Sequence, residues 1–430
     1  MTQSAPLRLG IAGLGTVGTG LVKIIRQEAA ALSARSGRSI EISAVCARDK
    51  TRDRGVNLSS YAWETDAVAL ATRDDVDVYV ELIGGDTGPA KASVEAALKA
   101  GKDVVTANKA LLAHHGQALA TLAETNGCVL RYEAAVAGGI PVIKALTEGL
   151  AGNQITRVMG VMNGTCNYIL TNMEKSGRGY NALFEECAEL GYLEADPNLD
   201  VGGIDAGHKL ALLASIAFGT QVDFDAVELE GIQRIELQDI NHAADMGYRI
   251  KLLGVTQMTG RGLEQRMTPC LVPAASPLGQ LEGGTNMVVI EGNHVEQIVL
   301  RGPGAGMGPT ASAVIADVMD IARGLRLPTF GVPAGQLEPA VPAKAATPAP
   351  FYLRIGLKDK PGAMAKIATI LGENGISINR MRQYDHSDET APVLFVTHKC
   401  MRQALDTAIE AISKTDVISE TPVALRIENL

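Results

Sequence analysis

The segment "LRLGIAGLGTVGTGLVKIIRQEAAAL", residues 7–32, constrains the fold more than any other part of the chain. A short apolar run breaks into Gly13-x-Gly15-x-x-Gly18, and a helical pattern begins at once. The first glycine permits a tight turn, the second lets backbone approach a pyrophosphate, and the third lets helix and strand pack closely. The helix N-terminus adds free N–H groups and a partial positive charge for an anion. Alone the spacing is a weak signal, and it gains force where it joins a strand to a helix inside a βαβ array. Gly13, Gly15, Thr16, Val17 and Gly18 are therefore the candidate contacts to a dinucleotide.

Such an array follows. Residues 7–133 alternate apolar runs ("IEISAVCA", "VDVYVEL", "KDVVTA", "GCVLRYEAA") with helical stretches ("GPAKASVEAALKAG", "KALLAHHGQALATLAETNG"). Short apolar runs bounded by turn residues read as strands buried on both faces. Their alternation with helices predicts an α/β fold, a doubly wound parallel nucleotide-binding sheet, over residues 1–135. From about residue 140 the pattern is mixed and predicts an α+β catalytic and dimerisation domain over 136–304. The segment 305–330, with a helix at 309–325, is expected to pack back on the nucleotide domain. Residues 332–350, "VPAGQLEPAVPAKAATPAP", have the composition of a semi-extended linker. Residues 351–430 read strand, helix, strand, strand, helix, strand, a separate βαββαβ ferredoxin-like module.

Composition narrows the function classes. The 430-residue chain carries a net charge of -9, which argues against a nucleic-acid partner. No apolar run reaches the roughly 18 residues of a membrane span. Six cysteines without a C-x-x-C pair suit a reducing cytoplasm, free thiols and no zinc site.

The second strand should end at the group that reads the ribose. There the chain has "AVCARDKTR", so Arg48 is the candidate 2′-phosphate contact and NADP is favoured over NAD; a solvated loop residue is the alternative. In "VVTANKALLAHHG", Lys109 opens a helix at the carboxyl end of a strand, where ligands of such sheets sit. A lysine there opposes the helix dipole, so its position needs another reason. The segment "GYLEADPNLDVGGIDAGHKLALLA" gathers Glu194, Asp196, Asp200, Asp205 and Lys209. Asp205 and Lys209 are spaced as an ordinary (i, i+4) surface pair. Lys209 also precedes a buried-looking run, and a desolvated lysine has a lowered pKa suited to carrying protons. Both readings stay open on the residues alone.

Other segments are less specific. "MNGTCNYIL" either positions a substrate through Thr165 or caps a helix; Cys166 reads as a buried core thiol and His114-His115 as a polar face without metal. "YEAAVAGGIP" offers Glu133 and loop carbonyls, hard oxygen ligands that suit a cation. "RGPGAGMGPTASAV" is a second glycine-rich turn before a helix, with Gly304 as a further cofactor contact.

Together, "GIAGLGTVG", "TANKALLA", "YEAAVAGGIPVI", "MNGTCNYIL", "GYLEADPNLDVGGIDAGHKLALLA" and "RGPGAGMGPTASAV" resemble the homoserine dehydrogenase family, in family order, over almost all of residues 7–325. The stretch "DKPGAMAKIATILGENGISI" resembles an ACT domain, an amino-acid-binding regulatory module. The resemblance implies NAD(P)-dependent interconversion of L-homoserine and L-aspartate 4-semialdehyde on the route to threonine and methionine. It implies Lys209 as the acid/base group, oriented by Asp205, with Lys109 near nicotinamide and substrate. Glu194 would bind the substrate ammonium and Asp200 would line the pocket. Glu133, Val136, Gly138 and Ile140 would form a monovalent cation site, usually sodium. An effector amino acid, threonine, would act through the ACT domain, with Asn379 and the Asp359–Gly362 turn as contacts. A homodimer or homotetramer is expected. Other dehydrogenases carrying ACT domains, or a non-catalytic amino-acid sensor, would lack the Lys209 carboxylate series.

Overall fold

The computed structural model describes residues 5–194, 196–383 and 390–428. The strand Leu7–Ala12 lies at the middle of a six-stranded sheet, paired in parallel with Ile40–Cys46 on one side and Val78–Glu81 on the other. Ala62–Glu64 flanks the first neighbour, and Asp103–Thr106 and Leu130–Arg131 extend the second. Leu9, Ile11, Val78 and Val80 are buried because helices cover both faces. Helix Met307–Ala322 lies against helix Thr16–Gln27. Gly20 permits this contact, since a Cβ there would fall 2.7 Å from Met307 Cγ.

A second sheet runs in the order Glu296–Pro303, Thr285–Gly292, Ile155–Val161, Tyr248–Thr259, Gly262–Pro273, Val423–Ile427, Phe351–Lys358, Thr390–Thr397, Ile378–Gln383. The last four strands have ferredoxin-like order. They do not form a sheet of their own: Cys270 and Leu271 pair in parallel with Arg426 and Ile427. At this seam the buried Glu428 carboxylate accepts from Arg157, Arg266 and Arg426, each at 2.5 Å.

The two faces of the C-terminal strands serve two cores. Leu353, Ile355, Val393 and Phe395 pack with helices Ala363–Glu373 and Arg402–Ser413. Tyr352, Leu394, Val396 and Leu425 join the main core instead. On that second face the buried Arg354 donates to Asp239 at 2.7 Å, and Tyr352 Oη bonds the same carboxylate at 3.0 Å. Asp239 belongs to helix Leu237–Asp245, so the C-terminal strands are anchored by a buried charge pair. The proline-rich segment is extended yet tied down: Leu263 N–H donates to Val341 O, Ala343 N–H to Leu263 O, and Thr347 Oγ1 to Glu264.

The helix Ile204–Phe218 is buried through Ser215. Gly203, at φ 80°, provides the left-handed turn that starts it. Its first turns touch helix Lys109–Thr125, and its flank rests on the second sheet, so it spans the junction between the two units. The segment "PVIKALTEGLA" forms a short α turn, Val142–Lys144, running into a π turn, Ala145–Gly149.

Candidate active site

The glycine turn has the required shape. Gly13 adopts φ 98°, and a Cβ there would lie 2.2 Å from Leu82 O. A Cβ on Gly18 would lie 2.0 Å from Gly13 O. Nothing lies within 4 Å of a Cβ on Gly15. Gly13 and Gly18 are thus demanded by packing, whereas Gly15 faces open space at the N-terminus of helix Thr16–Gln27, a cradle that fits a pyrophosphate. Val17 lines a cavity of about 660 Å³ that also reaches Lys109, Glu194, Asp205, Lys209 and Gly304. The cavity therefore runs from the glycine turn to the middle unit.

At its inner end one carboxylate holds two lysines. Asp205 Oδ2 lies 2.6 Å from Lys209 Nζ, and Asp205 Oδ1 pairs with Lys109 Nζ. Lys209 Nζ also donates to Met162 O at 3.0 Å, and Glu194 Oε1 stands 3.6 Å from Lys109 Nζ. Burial pulls Lys209 down to about 8, against the opposing pull of Asp200 and Glu194. Lys109 is also drawn to about 8, by burial and then by the neighbouring positive charge of Lys209. The (i, i+4) pair is therefore a buried site, not a surface pair.

Neighbouring turns fix the walls. Asn163 caps helix Gly164–Ser176 through the Cys166 N–H at 2.8 Å, and its Nδ2 donates to Asp200 Oδ1 at 3.0 Å. Asp200 Oδ2 accepts the Glu194 N–H at 2.9 Å. Both Asp200 oxygens are thus engaged by the protein, and this carboxylate positions Glu194. Thr165 Oγ1 donates to Tyr192 O at 3.1 Å. The Cys166 thiol, raised well above its ordinary value by burial, is a core group as expected.

Some contributors had no signal in the pattern. Buried Glu81 accepts the N–H groups of Ile83 and Gly84 through Oε1 (2.6 and 3.0 Å) and Thr106 Oγ1 through Oε2 (2.6 Å). Asn108 caps the Lys109 helix through Leu111 N–H and donates to Gly85 O at 2.6 Å. This network orders the loop beyond two adjacent strand ends beside Lys109. Only Asn108 carried a legible sign, a capping residue just before a helix.

In the loop after Glu133, the Glu133 carboxylate accepts the N–H groups of Ile143 (2.9 Å) and Lys144 (2.8 Å), one at each oxygen. Burial and the adjacent Asp317 raise this carboxyl to about 7. Gly138, at φ 57°, presses on Gly304, where a Cβ would meet the Gly304 carbonyl at 2.4 Å. Asn286, on the wall shared with Val136 and Gly138, has a buried Oδ1 with no hydrogen-bond partner among the described residues. An orphaned amide oxygen beside loop carbonyls fits a hard monovalent cation.

Arg48 is exposed just past the strand Ile40–Cys46. Arg54 reaches back to Leu14 O at 3.3 Å inside the glycine turn and lies over the Trp63 ring at 5.4 Å; Lys50 stands 5.9 Å from the same ring. Cations thus gather at the edge of the turn where a ribose phosphate would end.

A dinucleotide turn opening onto two lysines paired with one buried carboxylate is the arrangement of an NAD(P)-dependent oxidoreductase. The comparisons agree. Residues 13–133 match the family model "Homoserine dehydrogenase, NAD binding domain", residues 141–319 match "Homoserine dehydrogenase", and 351–416 match "ACT domain". The chain is 42% identical to a homoserine dehydrogenase of Neisseria gonorrhoeae, with 99% of each chain covered. It superposes with a TM-score of 0.93 on a homoserine dehydrogenase from Thiobacillus denitrificans, at 36% identity and 99% coverage of both chains. A hyperthermophilic archaeal homoserine dehydrogenase in complex with NADPH matches at TM-score 0.63 and 26% identity, covering 76% of this chain and 99% of that one. The chain belongs to the homoserine dehydrogenase family and interconverts L-homoserine and L-aspartate 4-semialdehyde with NAD(P). Among the described residues no helix is long and apolar enough to cross a membrane.

The glycine geometry separates packing from binding. Gly18→Ala should lower Tm by about 5 °C or more, because its methyl group meets backbone. Gly15→Ala should leave Tm within about 2 °C while weakening NADPH binding at least tenfold, read by fluorescence titration. Equal effects of both substitutions on Tm would contradict the assignment.

Proposed function

We propose that Lys209 exchanges the proton with the substrate oxygen, that Asp205 orients it, and that Lys109 sets the charge at the same oxygen. The observation that carries this reading is the buried Asp205 carboxylate shared by two lysines at the end of the cavity that begins at the glycine turn. The reduced dinucleotide, when bound, supplies a hydride to the aldehyde carbon. The oxygen then gains negative charge, which a buried ammonium stabilises more strongly than one in water. Lys209 gives that oxygen its proton and regains one afterwards. A value near 8 lets the amine serve as acid in reduction and, when neutral, as base in homoserine oxidation.

In the same reading Glu194 binds the substrate's α-ammonium, Asp200 holds Glu194 in place, and Thr165 fixes the Tyr192 backbone at the rim. Gly13, Gly15, Thr16, Val17, Gly18 and Gly304 contact the cofactor. NADP is the preferred dinucleotide, with Arg48 at its 2′-phosphate; the nearby Lys50 and Arg54 support that sign of potential. Glu133 and the carbonyls of Val136, Gly138 and Ile140 hold sodium or another monovalent cation, which would brace the loop against the Gly304 turn. The enzyme works as a homodimer or homotetramer in the cytoplasm, where its six buried free thiols stay reduced, and threonine regulates it through the ACT domain.

Lys209→Met tests the central role. Semialdehyde-dependent NADPH oxidation should fall about 10³-fold in kcat, while NADPH affinity stays within twofold. A kcat within tenfold of the parent would remove Lys209 as the proton carrier.

A further inference from the structure

Lys209 regains a proton after each reduction. With product and dinucleotide in the first cavity, that proton needs another way in, and the structure offers one. A second cavity, of about 600 Å³, lies behind the reaction site, with an exposed rim at Gly84, Gly85 and His114. Lys109, Glu194 and Asp205 line both cavities, so these three side chains form the wall between them. Lys209 lines the first cavity and not the second; His208 lines the second and not the first.

Helix geometry makes Asp205 the link. In helix Ile204–Phe218, Asp205 stands three residues before His208 and four before Lys209, and both spacings make neighbours on a helix surface. Successive residues are turned about 100° from each other at 3.6 residues per turn. His208 and Lys209 therefore face different cavities past one carboxylate, whose Oδ2 already pairs with Lys209. The buried His208 ring is held by packing, with centroids 4.2 Å from Phe224 and 5.4 Å from His114. Among the described residues no protein group hydrogen-bonds it, which leaves its nitrogens to solvent in the cavity. Burial first, then His114, Lys109 and Lys209, pull His208 down to about 4, and Asp86 pulls the other way. The ring is thus neutral at neutral pH, with one nitrogen to accept a proton and one to release it.

We propose that the second cavity is the proton path between bulk water and the reaction site, with His208 as the relay at its inner end. In reduction, cavity water gives a proton to one His208 nitrogen while the other nitrogen releases its own, through water, to Asp205. Asp205 passes a proton to the neutral Lys209 amine. One proton moves from bulk water to Lys209, and the imidazole and the carboxylate finish in the charge states in which they began. Homoserine oxidation runs the same path outward. His114, beside His208 at the exposed rim, is the outer group of the path. His208 acts through Asp205, so the proposal rests on the reading of Lys209 as proton carrier.

The full-length enzyme is assayed with NADPH and L-aspartate 4-semialdehyde in H2O and in D2O. His208→Gln, which can hydrogen-bond but cannot pass a proton, should lower kcat at least fivefold, keep both KM values within twofold and enlarge the solvent deuterium effect on kcat. In His208→Ala, free imidazole should restore at least half of the lost kcat, and it should leave the parent rate unchanged. His114→Gln, at an exposed position, should lower kcat at least twofold with the same rise in the isotope effect; it decides the question alone if neither His208 variant folds. A kcat within twofold of the parent in His208→Gln overturns the relay. A loss with no larger isotope effect and no response to imidazole makes His208 a packing residue and overturns it equally. If Lys209→Met keeps kcat within tenfold of the parent, the reading of Lys209 fails and the relay fails with it. An inactive Lys209→Met beside a fully active His208→Gln overturns the relay alone.

Discussion

Asp205 is the constraint on which the active site depends. Its carboxylate is buried at the start of a helix whose first turns touch the nucleotide unit, and it faces a lysine from each side of the junction. Two ammonium groups at such short range repel each other, and each loses hydration on burial. A shared carboxylate offsets both effects and keeps the amines near the cleft. Removing it would leave the buried Lys209 ammonium without its direct ion-pair partner, a loss far larger than that of a surface pair. Burial, and for Lys109 also the charge of Lys209, draws both lysines down to about 8 against the pull of the neighbouring carboxylates.

The positions around this pair follow from elements with little freedom. Gly203 starts the helix, so Asp205 and Lys209 appear one turn apart on one face. Asn163 and Asp200 tie the Glu194 loop to the helix Gly164–Ser176. The Glu81–Thr106 bond orders the loop at the facing strand ends. On the far side, the seam at Glu428 and the Arg354–Asp239 pair make the ACT strands part of the catalytic sheet. The ACT strands and the catalytic sheet therefore share a continuous register and buried charge contacts.

Much of this was legible in residues close in sequence. The glycine turn showed itself because three glycines and the flanking periodicities lie within one segment. The Asp205–Lys209 spacing showed that the two groups share a helix face, but the pattern alone could not separate a solvated pair from a buried one. What lifted the ambiguity was Lys109, which comes from another domain and meets Asp205 only through the fold. Glu81, Thr106 and Asn286 gave no signal, since each is a single polar residue at the end of an apolar strand. The Pro/Ala-rich segment announced its extended backbone but not its bonds to Leu263 and Glu264. The continuity of the two sheets rests on a two-residue register between Cys270–Leu271 and Arg426–Ile427, which no local pattern marks.

The most direct measurement is the titration of Lys209 itself. The protein would carry ¹³C at the lysine ε-carbons, with the resonance assigned by its loss in Lys209→Arg. A midpoint well below that of a free lysine, about 8, is the expected result in the ligand-free enzyme, because burial disfavours the charged amine. A midpoint near the ordinary lysine value of 10.5 would show a solvated amine and contradict the buried three-group site.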